Sequence, residues 1–566
     1  MSLINQPFHI PGKSMELALP HFLFGALLAA LTLPRAIRRL QLSRAKHPSL
    51  AGHTRLARRV GRAIPGYSYD ATRFFACDDA PADVVGARRA GFDRLADILR
   101  TRHARTDAMV RQAARDISDL QFTSRYRVPF PFSDYLREHL PSGGFVEDSR
   151  GVMLRDLDGF EFFDLGGAYG VNLFGTDFYK ACIREGTERV AALGPVLGSY
   201  HPCVADNAAA LKRISGLDEV SFHMSGTEAV MQAVRLARYH TRRSHVVRFC
   251  GAYHGWWDDV QPGPGNPLAP GRTYTLRDMD DRSLAVLGSR RDIACVLVNP
   301  LQALHPNASA PGDSTLVDGS RRAGFDRERY TRWLSRLREV CSARGIVLIV
   351  DEVFTGFRLA PGGAQEYFGV RADIVTYGKT LGGGLPVGVV CGRADLMRRY
   401  REDRPADICF ARGTFNSHPY VMGAMQVFLE RLQSPQIRCL YDGLDERWRA
   451  RREALNRRLD EAGLPLRIEG IGTIWTIDYT RAGRYHWMFQ FYLRAHGLAL
   501  NWTGTGRLIF NLAYGDADCE AVAERFVAAA RQMREDGWWW TAPDADHRGI
   551  RRMLLREMLS RRIGRA

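Results

Sequence analysis

Two short apolar runs, each ended by a reactive side chain, constrain this chain more than anything else in it. Residues 346–350 (I-V-L-I-V) are β-branched and aliphatic, the pattern of a strand buried on both faces of a parallel sheet. Asp351 and Glu352 end that run, and V-F-T-G-F-R follows. A second run, residues 373–377 (D-I-V-T-Y), ends in Gly378 and Lys379, then Thr380, Leu381 and three glycines. Open α/β sheets gather ligands at the carboxyl ends of their strands. A glycine-rich loop lets backbone approach such a ligand closely. An acid and a lysine at two strand ends are thus placed to share one bound molecule. Each alone reads as an ordinary strand-end acid or a surface lysine; it is the pairing that points to a site.

Other segments fit one α/β domain. Residues 224–238 (M-S-G-T-E-A-V-M-Q-A-V-R-L-A-R) open with Ser225-x-x-Glu228, a capping-box pattern, and continue with Ala229, Val230, Ala233, Val234 and Ala237 along one helix face. The start of such a helix offers free amides and a positive dipole end to an anion. Residues 246–249 and 294–298 read as further strands, the first followed by G-A-Y-H-G-W-W and the second by Asn299-Pro300. Residues 151–165 read as a hairpin turning at Asp158-Gly159, with G-G-A-Y-G next. Residues 301–318, rich in Pro, Asn, Ser and Gly, read as a loop.

Together D-E-V-F-T-G-F-R, G-K-T-L-G-G-G-L-P-V-G and M-S-G-T-E-A resemble the class III, fold type I aminotransferases, which use pyridoxal 5'-phosphate, and within them the glutamate-1-semialdehyde 2,1-aminomutases. The resemblance runs over about residues 144–530. It implies a large, mainly parallel sheet domain, a small C-terminal α+β domain, and a helical extension in front. It implies that Lys379 binds the cofactor aldehyde, that Asp351 pairs with the ring nitrogen, and that Ser225, Gly226 and Thr227 hold the phosphate. It implies Tyr253 and Val353 on the two ring faces, and Tyr169 and Arg507 toward substrate. These roles agree with the chemistry: the ring withdraws electrons while its nitrogen stays protonated, and a lysine attacks a carbonyl only when neutral, a state burial favours. Residues 412–419 (R-G-T-F-N-S-H-P) resemble a segment whose threonine reaches the neighbouring subunit's cofactor, so Thr414 implies a homodimer with shared sites. Asn416-Ser417-His418 departs from that segment, and Asn299 stands where many relatives carry glutamate. Near Leu304 or His305 the second glutamate of glutamate-using relatives is absent, as it is in the aminomutase branch.

The chain carries a net charge of +17, suited to an anionic membrane surface, a nucleic acid or an acidic carrier protein, with arginine-rich composition alone as the plain alternative. Its ten cysteines form no C-x-x-C pair, so neither a zinc site nor a disulfide framework is indicated, and no metal is expected. A reducing cytoplasm fits. Residues 17–33 are nearly uncharged and span roughly 25 Å as a helix, against about 30 Å of hydrocarbon core. Pro20 and His21 interrupt them, and Arg35, Arg38, Arg39, Arg44 and Lys46 follow. A helix on the inner membrane surface ranks ahead of a helix packed on the enzyme, and a true span comes last.

The expected organisation is residues 1–50 as this apolar and basic segment, 51–125 as a basic helical module, and 126–195 as the first part of the aminotransferase region. Residues 196–435 form the large cofactor domain, 436–545 the small domain and 546–566 a basic amphipathic tail, lying on a membrane or on a partner subunit. The aromatics Tyr67, Tyr69, Phe74 and Phe75 of the module read as core and not as a nucleic-acid platform. Carboxylate-binding residues of the aminomutases are not recognisable near the first strands. The expected function is therefore amino-group transfer to a larger aldehyde or ketone, lipid-like or bound to an acyl carrier protein. Alternatives are 2,1-aminomutase activity, or a non-catalytic scaffold docking to a membrane or partner.

Overall fold

The computed structural model describes residues 15–46, 55–126, 128–140, 143–261, 265–268, 271–300, 324, 326–500 and 506–563. The loop expected at 301–318 lies outside them. The first strands, β1 (Val146–Arg150), β2 (Met153–Asp156) and β3 (Glu161–Asp164), pair antiparallel, with Asp158-Gly159 at the β2–β3 turn as expected. The central sheet holds β4 (Glu219–His223), β5 (His245–Phe249), β6 (Thr273–Leu276), β7 (Ile293–Val298), β8 (Val347–Asp351), β9 (Ile374–Gly378) and β10 (Gly388–Gly392). Its order is β4-β10-β9-β8-β7-β5-β6. Neighbours are parallel except β10, which runs antiparallel to both β4 and β9. Two reversals restore direction, so β4 ends at the same edge as β8 and β9. All residues of β7, β8 and β9 are buried, which is why their sequences are unbroken apolar runs. A small sheet of β11 (Leu466–Ile471), β12 (Ile474–Tyr479) and β14 (Arg507–Ile509) follows, while β13 (Leu498–Ala499) adds to β3.

The helical extension is continuous with the C-terminal part of the chain. Helix Ser118–Tyr126 runs across residue 125, and the helical segment continues to His139. Phe74, Phe75 and Phe92 are fully buried in one core with Tyr485, Trp487, Met533 and Trp538. Polar groups tie the same seam. Tyr485 donates to the Phe74 carbonyl (2.7 Å), and the buried Arg88 guanidinium bridges Asp78 (2.7 Å) and the Gly537 carbonyl (3.0 Å). The aromatics are core, as the sequence indicates.

The tail is a helix, His547–Ile563, but it lies on this chain's own extension. Ile550 is buried, and Glu557 accepts from Tyr69 (2.6 Å), Tyr67 (3.2 Å) and Arg73 (2.8 Å). A carboxylate facing two phenols and a guanidinium explains why a basic, amphipathic tail folds inward here.

Helix Met15–Ala45 runs through Pro20 and Pro34, each forfeiting one backbone hydrogen bond without ending the helix. Only its end is docked: Ala45 is buried and its carbonyl accepts from the Arg277 amide (2.9 Å), beside helix Asp281–Ser289. Residues 32–40 are exposed, so this stretch of the helix projects as a stem. Among the described residues no helix is long and apolar enough to cross a membrane.

Candidate active site

Three strand ends and one helix start meet at the sheet's carboxyl edge. Lys379 begins the turn after β9, Asp351 ends β8, and helix Gly226–Thr241 starts three residues after β4. Glycines permit the approach: a Cβ on Gly226 would lie 2.7 Å from the Val353 side chain, and one on Gly255 (φ +91°) would lie 2.6 Å from Thr227 Oγ1. The helix start is therefore clamped between Val353 and the loop after β5, which carries Tyr253.

Ser225 caps that helix, its hydroxyl accepting from the Glu228 amide (3.2 Å). The Glu228 carboxylate accepts from the Met224 amide (3.0 Å), one residue before the position a capping box uses. First-turn amides have no carbonyl within the helix to bond, so those of Gly226 and Thr227 are donors for an anion.

Asp351 is buried and fully engaged. Its Oδ2 pairs with His254 Nδ1 (2.7 Å), and its Oδ1 accepts from Thr376 Oγ1 and the Val353 amide (both 3.1 Å). Burial lowers the His254 pKa against the pull of Asp351, which favours a neutral ring. A neutral His254 donates from Nδ1 to Asp351 Oδ2. The adjacent Glu352 has a structural task, accepting from Thr355 Oγ1 (2.7 Å) and the Ala364 and Gln365 amides (2.9 Å each).

Lys379 Nζ donates to the Tyr169 carbonyl (2.7 Å). Its pKa is brought down to about 8: burial contributes most, Arg358 and Arg507 add like charge, and Asp351 opposes them. Lys379, Ala168 and Tyr169 all hold left-handed backbone (φ 47°, 46° and 57°), a strain that collects at ligand clamps. The Phe354 ring lies among three cations, 5.9 Å from Lys379 Nζ, 5.6 Å from Arg358 Cζ and 5.4 Å from Arg507 Cζ. Tyr253 is exposed, with its phenol pKa raised by burial and by Asp351. Thr414 lies in an exposed stretch and meets none of these groups within the described chain.

Two buried arginines serve this edge. Arg358 donates to the Phe510 carbonyl (2.8 Å), Thr473 Oγ1 (2.9 Å) and the Gly170 carbonyl (3.2 Å), joining the small sheet to the loop under Lys379. Arg248 donates to the Ala252 carbonyl (2.5 Å) and to that of Val260, folding back the loop that carries Tyr253 and His254. Neither has a carboxylate partner among the described residues, and burial brings both pKa values down to about 10. His254, Thr376, Arg248, Arg358 and Phe354 escaped the sequence reading. His254 had a signal, since it follows Tyr253 at a strand end, whereas nothing in an arginine's local sequence tells that it is buried.

The site thus fits pyridoxal phosphate: free helix amides for a phosphate, an engaged carboxylate for a ring nitrogen, and a lysine of lowered pKa for an aldehyde. A class-III aminotransferase family model matches residues 136–258 and 323–530. The glutamate-1-semialdehyde 2,1-aminomutase of Desulfotalea psychrophila is 32% identical over 367 residues, 59% of this chain and 76% of that protein. That of Methanothermobacter thermautotrophicus is also 32% identical, over 62% of this chain and 81% of its own. Among solved structures, an omega-transaminase from Sphaerobacter thermophilus superposes with TM-score 0.60 at 26% identity, covering 74% of this chain and 98% of its own. A glutamate-1-semialdehyde aminomutase from Pseudomonas aeruginosa shares the fold with TM-score 0.63 at 19% identity, covering 79% and 99%. With the match spanning more than half of the chain and the sheet edge built to suit, this protein belongs to the class-III aminotransferases, pyridoxal-phosphate-dependent enzymes of fold type I.

Proposed function

We propose that the protein transfers an amino group to a larger aldehyde or ketone, lipid-like or bound to a carrier protein, with Lys379 holding the cofactor aldehyde. When bound, the cofactor supplies an electron sink for the substrate carbon next to nitrogen. Asp351, oriented by His254, would pair with the ring nitrogen. Ser225, Gly226 and Thr227 take the phosphate, Val353 and Tyr253 the two ring faces. Lys379 Nζ would also serve as the base that takes and returns the proton at the substrate carbon. Tyr169 and Arg507 receive the substrate, Arg507 pairing with an anionic group. The observation that carries this reading is the Lys379 amine with its pKa lowered to about 8, hydrogen-bonded across the sheet edge to Tyr169.

The larger acceptor is supported by the exposed rings of Tyr169 and Tyr253 beside the lysine and by the projecting stem. On a helical projection, Leu33, Ile37 and Leu40 fall on one side of that stem and Arg35, Arg38 and Arg39 on the other. This is the arrangement of a helix lying in an anionic membrane surface, and a membrane location would suit a lipid-like acceptor. A homodimer is supported by the exposed Ile408, Phe410, Thr414 and Phe415, with Thr414 of the partner subunit completing the phosphate site. A second reading, 2,1-aminomutase activity, is favoured by the names of the relatives just described.

The test adds amine donors to the loaded enzyme and follows its visible absorption band, then adds aldehydes of increasing chain length. Loss of the band with donor and its return with long-chain aldehydes support transfer to a large acceptor. Isomerisation of glutamate 1-semialdehyde without an external acceptor would establish the mutase reading instead. A band unmoved by any donor removes both.

A further inference from the structure

Away from the sheet edge, the helices Ala104–Ala113 and Ser118–Tyr126 enclose a basin of about 630 Å³. Four arginines, Arg111, Arg115, Arg125 and Arg137, line it with Gln121 and Phe122, and no carboxylate does. Asp116 and Asp119, in the same segment, are not part of the lining. Arg137 is held by Asp134 (2.6 Å). The guanidiniums of Arg111, Arg115 and Arg125 make no ion pair or hydrogen bond among the described residues, unlike those of Arg189, Arg393 and Arg449, which are paired. Clustering like charges costs free energy unless an anion joins them. Guanidinium is the side chain whose fork matches phosphate.

The rim supplies a second chemistry. The Phe122 and Tyr126 rings lie 4.9 Å apart with planes inclined by 32°. Both are exposed, at 53% and 52%, although other aromatics of this extension fill its core. An exposed ring pair beside unpaired arginines is a stacking platform next to a phosphate cup. Most of the basin precedes residue 136, where the aminotransferase match begins, and pyridoxal chemistry has no use for it.

We propose that this basin binds a small phosphate ester carrying a flat ring, the class to which free nucleotides belong. Arg111, Arg115 and Arg125 hold the phosphates and Phe122 stacks on the ring. The volume is that of one small ligand. A basin sized for one small ligand favours a free nucleotide over a nucleic-acid strand.

The test is calorimetric titration of the pyridoxal-phosphate-loaded full chain with ATP, with inorganic tripolyphosphate, and with a single-stranded oligonucleotide. Loading keeps the catalytic phosphate site filled. ATP should bind at one site per chain. The double variant Arg115→Ala/Arg125→Ala should weaken both ATP and tripolyphosphate by at least about tenfold, the loss of one charge-assisted hydrogen bond or more. Phe122→Leu should weaken ATP and leave tripolyphosphate unchanged. An unaltered visible band in each variant certifies that the fold is intact. No saturable ATP binding at about 1 mM, the affinity of one or two contacts, overturns the proposal. So does equal ATP affinity in the double arginine variant, or oligonucleotide binding that tightens with strand length and displaces ATP.

Discussion

Lys379 is one of five lysines in a chain with 79 basic residues, which makes its chemistry easy to isolate. Borohydride reduction of the loaded enzyme followed by peptide mapping should place the cofactor on Lys379, and Lys379→Ala should leave no covalently bound cofactor. A label on Lys180 or Lys212 would remove Lys379 from its role. Only the neutral amine attacks a carbonyl, and the Lys379 pKa lies near 8. Cofactor uptake by the apoenzyme should therefore rise with pH through about 8 and level off above it. Arg507→Leu withdraws a like charge, so its midpoint should move upward; stopped-flow absorbance across pH reads both, and a rate indifferent to pH would contradict the assignment. His254→Leu removes the donor that orients Asp351. A hydrogen bond to a charged group contributes about 1.5–3 kcal/mol, so kcat/KM should fall about 10- to 100-fold, with an altered pH profile and little change in melting temperature. The lysine and the aspartate were legible in the sequence because each ends an apolar run. His254 and Thr376 were not, because they come to Asp351 from β5 and β9 through sheet order, which no local pattern states.

At the scale of elements, the sequence carries the central strands well and the extension poorly. β7, β8 and β9 announce themselves because burial on both faces makes them mostly apolar, with polar residues such as Asp351 and Thr376 at the site end. The extension's amphipathic helices show that they have an apolar face but not what covers it; Phe74 meets Trp487, over four hundred residues away. The tail shows the same limit, since its basic composition hides the one carboxylate that docks it. Glu557→Ala would remove the acceptor of the Tyr69 hydroxyl and one of the two carboxylates on Arg73, and losing such partners costs about 1–3 kcal/mol. Its melting temperature should drop by several degrees in a thermal scan, with activity per folded molecule unchanged; an unshifted transition would mean that the clasp is idle. The stem is tested by a chain starting at Ser43, which keeps the Ala45 anchor. Full-length protein should float with anionic vesicles and the shortened form should not, both retaining the visible band. Equal flotation of the two would exclude the stem as a membrane contact.

For the whole molecule, the proposed homodimer with shared sites is tested by mixing variant chains. Lys379→Ala and Thr414→Val chains, each inactive alone, should regain up to about a quarter of wild-type activity when refolded together, because one site of a mixed dimer then receives both intact residues. A fully active monomer by sedimentation would end the idea. The sequence supplies the motif and not the geometry here: Thr414 is exposed in one chain, and its proposed role needs a second copy.

The buried guanidiniums of Arg248 and Arg358, which have carbonyls and a hydroxyl as partners and no counter-acid, bear on how this protein is made in a cell. A nascent chain must bring two cations without a carboxylate partner among the described residues into its interior, and a bound cofactor would add stabilising free energy to the native state. Ligand binding to the native state alone adds about 2.7 kcal/mol at a hundredfold excess over Kd. Yield of soluble protein should therefore follow vitamin supply, so that cells starved of pyridoxine accumulate insoluble chains while supplemented ones do not.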